Sequence, residues 1–155
     1  MKQFLIDMVH NEVLMSAICS WALAQIIKTI IHLKMTKKFV PERLIGSGGM
    51  PSCHSAAVCA MTTSLIINEG VGSYYVAIAG LLSIVVMYDA TGVRRETGNQ
   101  AKVLNELITL FKNKGSELSH DDKLKEFVGH TPLQVLVGAA LGISFALLYC
   151  MVIIK

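Results

Sequence analysis

The chain has 155 residues, of which 53% are hydrophobic and only 16% charged, and its formal net charge is +3. This length fits one domain, residues 1–155, and this composition lies outside the range usual for soluble globular proteins. The basic residues are not interleaved with aromatic ones, which argues against nucleic-acid binding. The sequence therefore predicts a single integral membrane domain.

The predicted elements begin with an apolar segment at residues 13–33, which at about 1.5 Å per residue can cross roughly 30 Å of hydrocarbon. A helical hairpin follows, formed by residues 53–67 and 71–88. Its first arm is short for a full span, so a tilted or re-entrant segment is the alternative. Residues 133–154 are the clearest spanning segment. The predicted fold class is all-α, a polytopic bundle of about four transmembrane helices.

Most basic residues gather in two stretches, 34–52 and 91–132, while residues 68–72, between the hairpin arms, contain no Lys or Arg. The positive-inside rule then places both basic stretches in the cytoplasm and predicts a multi-pass protein of the plasma membrane. Residues 99–112 show the apolar spacing of an amphipathic helix within the inserted loop 91–132. This helix either continues the preceding one or lies on the membrane surface.

Three further features concern packing. The pattern Gly138-xxx-Gly142 predicts that another helix approaches the last one closely. Ser119 is predicted to cap a short helix in the polar part of the second basic stretch. Four helices make only a thin wall around a polar site, so we expect a homo-oligomer.

Two histidines stand at predicted helix starts. A glycine-rich turn at residues 46–49 leads into a helix that begins near Ser52, with His54 in its first turn, and His130 shortly precedes Pro132, a residue suited to a first helical turn. Helix N-termini present unpaired N–H groups and partial positive charge, which suits a phosphate. Ser52 also fits a plain N-cap.

Cationic side chains are predicted at the same depth. Arg94 and Arg95 follow the hairpin at the membrane surface, where forked guanidinium groups match phosphate oxygens, and simple topological anchoring is the alternative. Lys28 can extend to this level from the first helix. Two histidines in a cationic cage suit phosphoryl transfer, because one imidazole can attack phosphorus while the other protonates the leaving oxygen.

Three ordered motifs resemble those of a known family. They are Ser-Gly-Gly-Met-Pro-Ser-Cys-His-Ser-Ala at 47–56, Asp-Ala-Thr-Gly-Val-Arg-Arg at 89–95 and Gly-His-Thr-Pro at 129–132. Together they resemble a divergent branch of the type-2 phosphatidic acid phosphatase and vanadium haloperoxidase superfamily, made of small membrane proteins. The resemblance covers about residues 20–145. It implies hydrolysis of a lipid phosphate through a phosphohistidine.

Carried over residue by residue, the resemblance implies that His130 is the nucleophile and that His54 protonates the leaving group. It also implies a set of side chains that hold the phosphate: Arg43, Arg94, Arg95, Lys28 and Ser52. The ordinary superfamily has its arginine six residues before the histidine, whereas 35 or 36 positions separate the two here.

A second departure concerns the carboxylate that orients the nucleophile in the ordinary superfamily. Gln134 stands at its place; it can accept a hydrogen bond but cannot stabilise an imidazolium by charge. We therefore expect Asp89 to orient His130. A metal site formed by His54, His130 and Asp89 is the alternative; otherwise neither a metal nor a cofactor is expected.

The sequence thus predicts a metal-independent membrane phosphatase with a site that faces the cytoplasm. A lipid made on the inner leaflet fits this side, so the expected substrate resembles phosphatidylglycerol phosphate or phosphatidate. A non-catalytic protein that binds lipid headgroups or assists assembly is the first alternative. A small channel or transporter subunit is the second.

Overall fold

The computed structural model describes residues 2–37, 48–113, 124 and 129–153. These residues form six α-helices and no β-strand: α1 (Lys2–Val9), α2 (Glu12–Thr36), α3 (Cys53–Glu69), α4 (Tyr74–Thr91), α5 (Val93–Asn113) and α6 (Pro132–Ile153). The predicted all-α class is confirmed, and the four apolar segments correspond to α2, α3, α4 and α6. Arg43 and the short helix predicted near Ser119 lie outside the described residues.

Helix α3 occupies the centre of the bundle, where it contacts α2, α4 and α6. Its 17 residues span about 26 Å, at the lower limit for a membrane helix. In the described part of the chain, the stretches long and apolar enough to cross a membrane are α2, the segment from α4 into α5, and α6. Because three helices surround α3, few of its side chains need to face lipid, which explains its weaker apolar signal.

Small side chains fill the interior of the bundle. The largest fully buried ones are only cysteine and serine: Cys53, Ser16, Ser20, Ser52, Ser55 and Ser64. Large apolar side chains lie outside, as shown by Ile78 at 67% exposed and Leu148 at 65% exposed. This arrangement inverts the soluble pattern and suits lipid, where close packing of small residues holds helices together.

Two glycines allow α6 to approach α3. A Cβ atom at Gly138 would collide with the carbonyl oxygen of Ser52, and a Cβ at Gly142 would collide with the carbonyl oxygen of Ala56. The close contact predicted from the Gly-xxx-Gly pattern is therefore confirmed, with α3 as the partner. The Ala56 carbonyl also accepts a hydrogen bond from Ser20 Oγ at 3.3 Å, so α2, α3 and α6 meet at this point.

Hydroxyl groups join α4 to α3. Ser83 Oγ donates to the carbonyl oxygen of Val58 at 3.1 Å and lies 2.9 Å from Thr62 Oγ1. In lipid, a hydroxyl without a partner is costly, so pairs of this kind favour one register between helices.

Helix α5 begins six residues earlier than the predicted 99–112 helix, at Val93. Gly92 N donates to the Tyr88 carbonyl at 2.8 Å, and Glu96 N donates to the Gly92 carbonyl at 3.0 Å. α5 therefore follows α4 without a loop, and a large part of the second basic stretch is helical. The short α1 was not predicted from the sequence, and it buries no residue.

We expect Gly142→Ala to lower the free energy of unfolding by about 1–3 kcal/mol, because the added methyl group forces α6 away from α3. Thermal unfolding in detergent measures this change. Gly80→Ala in α4 is the matched control, since a Cβ there meets no atom within 4 Å and alanine favours helix more than glycine does. Equal stability of the two variants would contradict the close contact.

Candidate functional site

Backbone hydrogen bonds join the three sequence motifs at one end of the bundle. His130 N donates to the Ala90 carbonyl at 3.0 Å, and Ser52 N donates to the Gln134 carbonyl at 3.1 Å. The last carbonyls of a helix have no partner within it, so the end of α4 supplies a ready acceptor for His130. The start of α6 is thereby fixed to the end of α4 and to the start of α3.

Gly129 determines how closely His130 approaches the two arginines. Its φ is +100°, a conformation that favours glycine. A Cβ atom at this position would collide with the backbone of Arg94 and Arg95. The glycine of the Gly-His-Thr-Pro motif is therefore explained by backbone contact with the Arg-Arg motif.

Gln134 caps α6 and does not orient His130. Its Oε1 accepts a hydrogen bond from Thr131 N at 3.1 Å, and its own N donates to Thr131 Oγ1 at 3.4 Å. This reciprocal arrangement is a capping box, followed by proline at the first helical position. The residue at the place of the superfamily's aspartate thus has a structural role at the helix start.

The imidazole of His130 is buried and electrically neutral at neutral pH. The residue is only 4% exposed, and its Nε2 has no hydrogen-bond partner among the described residues. Burial, together with the positive charges of Lys28, His54 and Arg94, lowers the pKa of His130 to about 4. A neutral imidazole with an unpaired nitrogen is the form that a nucleophile requires.

Next to His130 lies a cavity of about 270 Å³. Its lining comes from the glycine-rich turn, α5 and the start of α6, and it includes Gly48, Gly49, Arg95, Asn99, Lys102 and His130. Two of these residues are cationic, and no aspartate or glutamate lines the cavity in the described part of the chain. The cavity therefore suits an anion.

Lys28 lies beneath the glycine-rich turn. It is 3% exposed, and a Cβ at Gly49 would lie 3.4 Å from its Cγ. Its Nζ donates to Cys53 Sγ at 3.7 Å, and the same sulfur lies 3.7 Å from His54 Nδ1. Cys53 thus lies between the predicted phosphate-binding lysine and the predicted acid.

The other predicted residues are placed less directly. Asp89 accepts a hydrogen bond from Arg94 Nε, and none of the hydrogen bonds between described residues joins it to His130. Ser52 Oγ accepts a hydrogen bond from Ser55 N at 3.4 Å, which confirms its role as an N-cap, and a second one from Ser55 Oγ at 2.9 Å. Of the two arginines, it is Arg95 that lines the cavity.

A metal was the alternative interpretation of the predicted site. In the residues that the structure describes, no three His, Cys, Asp or Glu side chains are grouped so that they could hold a metal ion. His54, His130 and Asp89 therefore do not form such a group there.

Sequence reasoning missed Asn99 and Lys102. Together with Arg95 they follow the spacing i, i+4, i+7, which places all three on one face of a helix. This spacing is visible in the sequence, but the helix predicted over residues 99–112 does not include Arg95.

Comparisons with known proteins agree with the motifs. Residues 9–145 match the family described as the divergent PAP2 family. The chain is 35% identical over 150 residues to the uncharacterized membrane protein YuiD of Bacillus subtilis (strain 168), covering 91% of this chain and 95% of that protein. No solved structure matches.

Gly129→Ala should displace the start of α6, because the new methyl group meets the backbone of the Arg-Arg motif. Gly70→Ala is the matched control: Gly70 has φ +79°, but a Cβ there meets no atom within 4 Å. Strain at positive φ costs about 1–2 kcal/mol in both variants, and only Gly129→Ala adds a collision. Thermal unfolding in detergent should therefore show a larger loss of stability for Gly129→Ala than for Gly70→Ala. Equal losses would rule out the backbone contact.

Protonation of His130 should make the protein less stable as the pH is lowered. Its pKa is about 6.5 in an unfolded chain and about 4 when folded, so between these values only the unfolded chain binds the proton. The contribution to stability is full above pH 6.5 and declines as the pH falls toward 4.

The measurement compares thermal unfolding at pH 7 and pH 4.5. His130→Gln, which cannot be protonated, should lose less stability than the wild type over this range. His10→Gln, at an exposed histidine, is the control and should behave like the wild type. The same pH dependence in His130→Gln and wild type would contradict a buried neutral imidazole.

Proposed function

This chain belongs to the divergent PAP2 family, and we propose that it is a metal-independent phosphatase that hydrolyses a membrane lipid phosphate through a phosphohistidine. One observation carries the proposal. His130 has a buried Nε2 without a hydrogen-bond partner among the described residues, and it lines a cavity together with Arg95. A neutral nucleophile beside a cationic anion site is the arrangement that phosphoryl transfer without a metal requires.

In the proposed first step, His130 Nε2 attacks phosphorus, a P–N bond forms and the P–O bond to the lipid alcohol breaks. His54 gives its proton to the departing oxygen. In the second step, water attacks the phosphohistidine, the P–N bond breaks and His54 accepts the proton of the water. The products are the lipid alcohol and inorganic phosphate.

Cationic groups stabilise the charge on the phosphate oxygens in this proposal. Arg95 lines the cavity, and the charges of Lys28 and Arg94 act on His130. Arg43 and the Ser52 hydroxyl remain predicted phosphate-binding groups.

Asp89 acts as a positioning residue in this proposal. Its carboxylate accepts the hydrogen bond of Arg94 Nε, while the neighbouring Ala90 carbonyl accepts the hydrogen bond of His130 N. The end of α4 therefore supports both the arginine and the nucleophile. This differs from the expected direct contact between Asp89 and His130.

The position of the site suits a lipid substrate. The bundle presents large apolar side chains on its outer face, including Leu133 and Leu136 at the start of α6, close to His130 in sequence. A lipid could keep its acyl chains against this face while its headgroup enters the cavity. On the predicted orientation, the site faces the cytoplasm at the plasma membrane and receives lipids made on the inner leaflet.

One observation favours the non-catalytic alternative. Gln134 is uncharged, and the Asp89 carboxylate accepts from Arg94 Nε, so among the described residues no hydrogen bond from a carboxylate supports the His130 imidazole. If turnover is absent, the same cavity would bind the headgroup of an anionic lipid without hydrolysis.

Purified protein in mixed micelles with a chelator should release phosphate from phosphatidylglycerol phosphate or phosphatidate. His130→Ala should lower the rate at least about 100-fold, and His54→Ala should lower it by a similar factor, because each removes a covalent or proton-transfer step. His10 is exposed just after α1, far in sequence from both histidines, so His10→Ala should keep the wild-type rate. A folded wild type that releases no phosphate from either lipid would contradict the proposal.

A further inference from the structure

Three polar residues of α5 face the cavity together. Arg95, Asn99 and Lys102 all line it, and their i, i+4, i+7 spacing places them along one helix face. The two cations are seven positions apart, which corresponds to about 10 Å along the axis. The cavity therefore has positive charge at two levels.

The cavity exceeds what a single phosphate group needs. Its volume is about 270 Å³, whereas one water needs only about 10–15 Å³ in the same measure. His130 is the predicted nucleophile, so the reacting phosphate lies at its imidazole. Space beyond this position remains for another part of the headgroup.

Charge indicates where a second anion would bind. A neighbouring open cleft of about 570 Å³ shares Arg95 and Asn99 with the cavity, but it is also lined by Glu96. The carboxylate of Glu96 makes that cleft unfavourable for a second phosphate. Lys102 lines the cavity and not that cleft, so the favourable position is beside Lys102.

We propose that Lys102 binds a second phosphate of the substrate, so that the site prefers lipids carrying a phosphodiester together with the phosphomonoester that reacts. This inference rests on the proposed function and names its substrate class. Phosphatidylglycerol phosphate has both groups, joined by a glycerol. Phosphatidate has only the phosphomonoester and leaves Lys102 without an anion.

The effect of Lys102 should be selective. Its side chain is exposed, so solvent weakens the interaction, but a hydrogen bond between charged groups still changes binding about ten-fold. A lysine that instead contacts the reacting phosphate would affect both lipids equally. The ratio of the two substrates therefore separates the two roles.

The experiment measures kcat/KM for phosphatidylglycerol phosphate and for phosphatidate in mixed micelles, using wild type, Lys102→Gln and Lys34→Gln. Lys34 is an exposed lysine at the end of α2, so its replacement is matched in charge. Lys102→Gln should lower kcat/KM for phosphatidylglycerol phosphate about ten-fold and change that for phosphatidate less than two-fold. Lys34→Gln should leave the ratio as in wild type.

Equal loss for both lipids, or loss for neither, would overturn the role of Lys102 while leaving the phosphatase proposal standing. Binding of the same two lipids to the purified protein is measured in parallel. If neither lipid is hydrolysed, but wild type binds the two-phosphate lipid more tightly and Lys102→Gln removes this difference, the proposed function fails and the second anion site stands. Equal binding of the two lipids without hydrolysis would overturn both.

Discussion

The close approach of α6 to α3 is the constraint on which the site depends. Gly138 and Gly142 have no side chain between the two backbones, and this proximity allows Ser52 N to reach the Gln134 carbonyl. His54 lies in the first turn of α3, and His130 lies just before α6. The same contact therefore brings the two histidines to one end of the bundle. Helix packing and the assembly of the site therefore depend on the same contact.

Burial and charge then give the site its chemical character. The end of α4 accepts the His130 backbone N–H, so the imidazole is carried into a protected position beside cationic groups. Both burial and these charges favour the neutral form. A phosphate dianion would offset the positive charge that Lys28, His54 and Arg94 place around His130. This charge supports the proposed phosphate binding whether or not the bound lipid is hydrolysed.

Much of the fold was predictable from the apolar runs, because a helix that crosses the bilayer needs a long stretch of apolar residues. The start of α5 was not, because Arg94 to Gly98 have no apolar periodicity and are helical through their continuity with α4. The sequence identified His130 and Lys28 from residue type and depth. It could not show that Asp89 bonds to Arg94, which depends on geometry at the turn between α4 and α5. The role of Gln134 could be predicted from the Thr-x-x-Gln pattern of a capping box. The resemblance to the superfamily implied only that Gln134 stands at the place of an aspartate.

The proposed mechanism requires a covalent bond between His130 and phosphorus. The most direct measurement is to quench the purified protein at alkaline pH during turnover of a lipid labelled in its phosphomonoester, and to locate the label by mass spectrometry. We predict labelled phosphate on the His130 imidazole, and loss of this label when unlabelled substrate is added. Phosphate on any other residue, or turnover without phosphorylated protein, would contradict it.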